Sequence, residues 1–210
     1  MLPYLFLITL VSFCSVLDYV KLNTKSRKIL LVLLIGLLIM FCGTRFETGN
    51  DWTAYVDTFN RIPPFESLCN NPEMFVVSRM EPGYVILNSI VKSLGGTIDI
   101  VFLISCIITV GLLFIALNRY SFFCFLAILL YMRYGYLQAN MMFVRQGIAV
   151  SIFFISLKYV EERKFWQYIA INIIAILFHS SLYIVLPLYF FLNRRYSCLL
   201  YTSPSPRDCS

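Results

Sequence analysis

The chain has 210 residues, 60% of them hydrophobic and 13% charged, with a formal net charge of +6 and a mean hydropathy of +0.78. That much apolar surface exceeds what a water-soluble core hides, and apolar runs of membrane-spanning size recur from the first residue almost to the last. A soluble domain is excluded, and so is nucleic-acid binding, because many of the lysines and arginines gather at segment ends, where anionic headgroups are the natural partner. The expected fold is all-α: a polytopic transmembrane helical bundle of about six spans, with an external loop that carries an amphipathic interfacial helix.

The first apolar segment, Leu2 to Val20, has neither a basic leader nor a small-residue cleavage site, so it is expected to remain as a span. Lys21, Lys25, Arg27 and Lys28 follow, then a second run from Ile29 to Gly43. The positive-inside rule puts that basic cluster in the cytoplasm and the chain after Gly43 outside. Residues 44–98 form the external loop, where Glu47, Asp51, Asp57, Glu66, Glu73 and Glu81 outnumber Arg45, Arg61, Arg79 and Lys92. Breakers at Arg61-Ile-Pro-Pro and Asn70-Asn-Pro predict short helices near 51–60 and 65–70. Pro82 at a first helical position and Gly95-Gly96 at the end predict an amphipathic helix over 82–94, lying at the membrane surface.

A third span is expected from about Ile98 to Leu117 and a fourth from about Ser121 to Leu137. An external piece, Gln138 to Gln146, leads to a fifth span that ends near Tyr159, where Lys158, Arg163 and Lys164 mark the inside again. The run from Phe165 to Leu192 would be about 42 Å long as one helix, against a hydrocarbon layer of roughly 30 Å. It is read as a single kinked span with Arg194 and Arg195 outside; two half-helices that break at His179 and return inside are the alternative. After Arg195 the composition turns to Tyr201-Thr-Ser-Pro-Ser-Pro-Arg-Asp-Cys-Ser, which has no apolar period. Residues 1–195 are therefore expected to be the membrane domain and 196–210 a non-native or disordered tail. Leu199 to Asp208 resembles translated sequencing-adaptor sequence, so the natural chain is expected to continue past residue 195.

Ionisable groups at membrane depth cost about 2.5–3.5 kcal/mol each on insertion scales, so the few that persist line wet cavities or pair. Arg145 lies between Met141-Met142-Phe143-Val144 and Gln146-Gly147-Ile148. Its guanidinium suits a bidentate grip on a phosphate at a positive helix N-terminus; the alternative is an interfacial arginine that snorkels to headgroups. His179, the only histidine, is suited to proton transfer or to a buried structural role. No carboxylate lies within a helical turn of it, so a hydrolytic triad is not supported. The stretch from Arg45 to Tyr55 mixes charge with aromatic faces, a pattern that suits sugars and also an interfacial belt. Asp51 fits a helix N-cap and Glu81 a first-turn acid, as alternatives to acid–base work. The seven cysteines form no disulfide framework or zinc site, and no metal, nucleotide or other cofactor is expected.

The ordered set Gly43-Thr-Arg45, Gly49-Asn-Asp51 with Tyr55, Glu81-Pro-Gly-Tyr84, Val144-Arg145-Gln146 and Leu177-Phe-His179-Ser-Ser resembles the EpsG-like membrane proteins of exopolysaccharide synthesis, relatives of the Wzy-type polysaccharide polymerases. The resemblance covers residues 1 to about 195 and implies a bacterial cytoplasmic-membrane polymerase acting on undecaprenyl-diphosphate-linked oligosaccharides at the outer face. Its partners would be the bilayer, the lipid-linked glycan and other polysaccharide-synthesis proteins. On that basis Arg145, His179, Asp51 and Glu81 are the candidate catalytic residues, and Arg45, Tyr55, Tyr84 and Gln146 the candidate substrate-binding ones. A lipid-linked glycan ligase or other glycosyltransferase, a polysaccharide transporter, and a structural subunit of a synthesis complex are the competing functions.

Overall fold

The computed structural model describes residues 2–20, 23–71, 73, 75 and 80–192. Their regular structure is all helical, with no strand among the described residues. Helix α1 (Leu2–Ser15) ends in a short 3-10 turn, and α2 (Thr24–Gly43) starts on an Asn23 cap whose side chain accepts from the Lys25 N–H. Two short helices, α3 (Trp52–Arg61) and α4 (Phe65–Asn70), stand where the breakers predict them. Helix α5 (Pro82–Ser93) leads to the central α6 (Ile98–Tyr120). The chain returns through α7 (Cys124–Tyr131) and two π-helical turns, Met132–Tyr136 and Gln138–Met142, into α8 (Val144–Glu161) and α9 (Phe165–Phe178). A 3-10 segment (Ser180–Val185) and α10 (Leu188–Leu192) complete the described chain.

Two helices, α2 and α6, are each long and apolar enough to cross a bilayer. The six expected spans are thus not all seen as full-length helices; α1, α7 and α9 are shorter apolar helices. Helix α6 divides the interior. On one side Cys106 and Val110 pack with α1, α2 and α7 through Leu7, Leu38 and Phe125; on the other Val101 and Phe102 pack with α3, α5, α8 and α9 through Tyr55, Tyr84, Ile148 and Ala175.

The bundle has two chemically distinct ends. At one, Asp18, its side chain fully buried, accepts from Arg27 at 3.2 Å and from the Leu126 N–H at 2.9 Å, while Arg27 also donates to the Phe122 carbonyl. Arg119 pairs with Glu161 and Lys164 with Glu162 at that same end. The other end carries Arg45, Glu81, Arg145 and His179.

Two expectations are corrected, and one segment is added to. Helix α5 is not laid on a surface: Tyr84, Val85, Asn88, Ser89 and Val91 are buried against its neighbours, and Lys92 is held by the carbonyls of Phe59, Asn60 and Ile62. The piece from Gln138, for which no helix was expected, continues the preceding helix in π-helical form as far as Met142 and breaks at Phe143. The run from Phe165 to Leu192 is not one kinked span. His179 takes an extended backbone (φ −158°, ψ 122°), and the chain then doubles back along α9. Tyr189 packs edge-on against Phe165 with ring centroids 5.1 Å apart, and the Tyr168 hydroxyl donates to the Val185 carbonyl. Two half-length segments are the outcome, because the polar break at His179-Ser180 finds its partner inside the protein and the returning half repacks on the first. Arg79, Arg194, Arg195 and the expected tail lie outside the described residues.

The doubling back has a direct check. In a cysteine-free background, the pair Phe165→Cys and Tyr189→Cys is expected to cross-link in membranes with a short bifunctional reagent. In one continuous helix those positions would stand about 36 Å apart, and no cross-link would form.

Candidate functional site

Three segments meet at the end of the bundle opposite the basic clusters. The break before α8 puts Arg145 in its first turn, the break after α9 puts His179 at its cap, and Pro82 starts α5 so that Glu81 sits at that helix's N-cap. Helix α5 reaches α9 closely because Gly83 lies against the Leu177 carbonyl; a Cβ there would approach that oxygen to 2.8 Å. Glu81 does not cap its own helix. Its Oε2 accepts from Arg145 Nη1, and its Oε1 lies 2.9 Å from His179 Nδ1 and accepts the Ser180 N–H at 3.4 Å.

Burial pushes the Glu81 carboxyl up, but its own backbone N–H, the Arg145 charge, the Ser180 N–H and the His179 ring together outweigh that and hold it below the usual carboxylate range. The side chains of Glu81, His179 and Arg145 remain 15%, 25% and 26% exposed, so the trio is set into the surface rather than sealed. With the carboxylate ionised, Nδ1 of His179 donates to it, and Nε2 makes no hydrogen bond among the described residues. Arg145 keeps its Nε without a hydrogen-bond partner among the described residues. The site thus offers a cation, an oriented imidazole and the carboxylate that holds both.

The other candidates behave differently. Arg45 is 5% exposed: Nη1 donates to the Asn140 carbonyl at 2.9 Å and the guanidinium lies 4.0 Å over the Phe102 ring. Its Nε and Nη2 have no hydrogen-bond partner among the described residues, and the aromatic face supplies cation–π attraction in their stead. The Tyr55 hydroxyl donates to the Met142 carbonyl at 3.2 Å, and Tyr55 packs edge-on against Tyr84 and Phe102. Tyr84 is wholly buried, which pushes its hydroxyl up and keeps it neutral. Gly49, with φ +104°, presses against the Met141 carbonyl, where a side chain would have no room. Arg45, Gly49 and Tyr55 therefore grip the backbone of residues 140–142, three residues before Arg145. Asp51 holds the N-cap position of α3 without capping it and pairs with no side chain among the described residues. Gln146 is exposed and lines a separate apolar cleft on the next face of α8.

Sequence reasoning named Glu81, Arg145 and His179 but not their pairing, since the partners lie 64 and 98 residues from Glu81. It also missed Asn140, buried and donating to the Tyr131 hydroxyl and the Tyr136 carbonyl, which ties the gripped segment to the helix before it. The letters give no signal for that role.

Replacing Glu81 by Ala is expected to lower stability by about 2 kcal/mol, since it leaves a half-buried guanidinium and a helix break without their acceptor. The pH dependence has a definite sign. A carboxyl held low in the folded protein contributes fully at neutral pH, and its contribution is lost as the pH falls through that lowered value. Thermal melts in detergent between pH 7 and 3 are expected to show an acid-side loss that is smaller in Glu81→Gln.

The EpsG family model matches residues 28–204 of the chain. No curated protein and no solved structure is matched. The matched range holds all the segments that converge at the site, Arg45 to Tyr55, Glu81 to Tyr84, Arg145 and His179, in their order along the chain. The chain belongs to the EpsG family and is an exopolysaccharide-related membrane protein.

Proposed function

We propose that the protein polymerises lipid-linked oligosaccharide repeat units at the outer face of the bacterial cytoplasmic membrane, moving a growing glycan from an undecaprenyl diphosphate carrier to a hydroxyl of another lipid-linked unit. The observation that carries this reading is the Glu81 carboxylate bound at once to a guanidinium and an imidazole, both open to the surface. Glycosyl transfer from a diphosphate needs a base for the acceptor and positive charge for the leaving group, and the trio supplies both.

In the proposed reaction Nε2 of His179 takes the proton of the acceptor hydroxyl, whose oxygen then bonds to the anomeric carbon. The bond from that carbon to the diphosphate breaks, and the lipid diphosphate leaves with the electron pair. Arg145 stabilises the charge that develops on it, with the N-terminus of α8 adding attraction. Glu81 holds the imidazole tautomer and shares Arg145 with the substrate, so an arriving diphosphate competes with the carboxylate for the guanidinium. Arg45 and Tyr55 act on the backbone before Arg145 rather than on the sugar. Residues 1–195 would form the membrane domain with 44–98 outside, and the basic end around Arg27, Arg119, Lys158 and Lys164 would face the cytoplasm.

His179→Gln and Arg145→Ala in the full-length protein are each expected to reduce polymer at least 100-fold on gels that resolve chain length; normal polymer from either would remove that residue from the reaction. Orientation is checked separately. A cysteine at Arg145 in intact cells is expected to react with a membrane-impermeant maleimide, and one at Lys158 to react only after lysis; the reverse pattern would put the site on the wrong side for the proposed substrate.

A further inference from the structure

The polar site uses Arg145 and His179 but leaves out Arg133, which stands midway along the segment that runs from α7 toward α8. Two hydrogen bonds fix its height in the bundle. Before it, the Leu126 N–H meets Asp18 at the basic end. After it, the Tyr136 hydroxyl donates to the carbonyl of Leu38, about 21 Å along α2 from Thr24. Arg133 lies between these two levels, beside the apolar stretch of a helix long enough to cross a bilayer. At that depth hydrocarbon surrounds a spanning segment.

The π-helical turn Met132–Tyr136 keeps Met132 and Tyr136 buried and leaves Arg133 and Tyr134 exposed, Tyr134 at 74%. The guanidinium lies 5.6 Å from the centre of the Tyr134 ring and pairs with no carboxylate among the described residues. It does not line the apolar cleft beside α8 either. Ionisable groups at membrane depth turn to a bundle interior or a wet cavity and find a partner there. Arg133 turns outward instead, on a form of helix that recurs at functional positions.

We infer that the face at Arg133 and Tyr134 docks a membrane-spanning helix that carries a carboxylate at the same depth. Charge decides the occupant. A second copy of the chain does not fit, because α1, α2 and α6 to α9 hold acids only in a first or last turn, Asp99 in α6 and Glu161 in α8. A phospholipid headgroup stays at the interface, whereas the anchors at Asp18 and Leu38 hold Arg133 between the interfaces. A carboxylate on a neighbouring helix accepts two parallel N–H bonds from the guanidinium, and the Tyr134 hydroxyl beside it is placed to donate another. The pair replaces a charge exposed to hydrocarbon with a satisfied one, so it selects both the docking helix and its height. This inference concerns assembly and does not depend on the proposed reaction.

The test uses a synthetic spanning peptide of leucine and alanine with lysines at both ends and a single glutamate at its centre. The protein, donor-labelled, and the peptide, acceptor-labelled, are combined in phosphatidylcholine vesicles, and energy transfer is followed as peptide density rises. Transfer to the glutamate peptide is expected to half-saturate at about 10-fold lower density than transfer to the same peptide with leucine at the centre. Arg133→Leu is expected to abolish that preference while keeping a wild-type melting profile, since the side chain is exposed; Arg133→Gln repeats the test should the leucine variant fail to fold. Phosphatidylglycerol added to the vesicles should leave the preference in place. The inference is overturned by equal transfer to both peptides, by a preference that survives the Arg133 substitutions, or by its loss to phosphatidylglycerol, which would make Arg133 a headgroup ligand. Arg133-dependent transfer between two labelled copies of the protein, undisturbed by the glutamate peptide, would overturn it as well. Polymer formation in the Arg145 and His179 variants judges the polymerase reading independently of all these outcomes.

Discussion

One carboxylate satisfies two demands that the helices around it create. A guanidinium half-buried at the start of α8 and a polar chain break at the end of α9 would each be costly unpaired, and Glu81 answers both from the start of α5. The arrangement explains the odd geometry of the last segment. An apolar run of 28 residues does not continue as a helix past His179, because the Ser180 N–H and the imidazole turn to Glu81 instead, and the chain is sent back along α9.

The trio is held from behind by a second layer of contacts. Consecutive carbonyls of residues 140–142 are taken by Arg45, the close approach of Gly49, and Tyr55. That segment is π-helical, a form in which ordinary i to i−4 bonding is lost and which occurs chiefly at functional positions. The departures from regular helix thus cluster where side chains from distant segments can take over the backbone's hydrogen bonding. Arg45 is the instructive member of this layer. Stacked on Phe102 and bonded to a carbonyl, it is a positive charge spent on architecture.

The division of the interior by α6 gives the protein two faces of different use. One half joins α6 to α1, α2 and α7, and the Asp18 to Arg27 pair clasps its basic end. The other half carries the trio, and the gap between the halves is the apolar cleft. Membership of the EpsG family gives this layout its context, that of an exopolysaccharide-related membrane protein.

Much of the framework was legible in the letters, for local reasons. The apolar runs marked α2 and α6, Pro82 and Gly95-Gly96 bounded α5, and Pro63-Pro64 separated α3 from α4, since hydropathy and backbone restriction act over a few residues. Arg145 and His179 stood out because ionisable groups are rare in such surroundings, whereas Glu81 was one acid among several in its loop. Tertiary structure alone decided which of them meet, that α5 turns its polar residues inward, that Arg45 is consumed in packing, and that the last apolar run folds back. The physical reason is one of range: propensity and hydropathy are properties of neighbours in the chain, whereas the partner of a buried charge is set by which helix ends arrive at the same place.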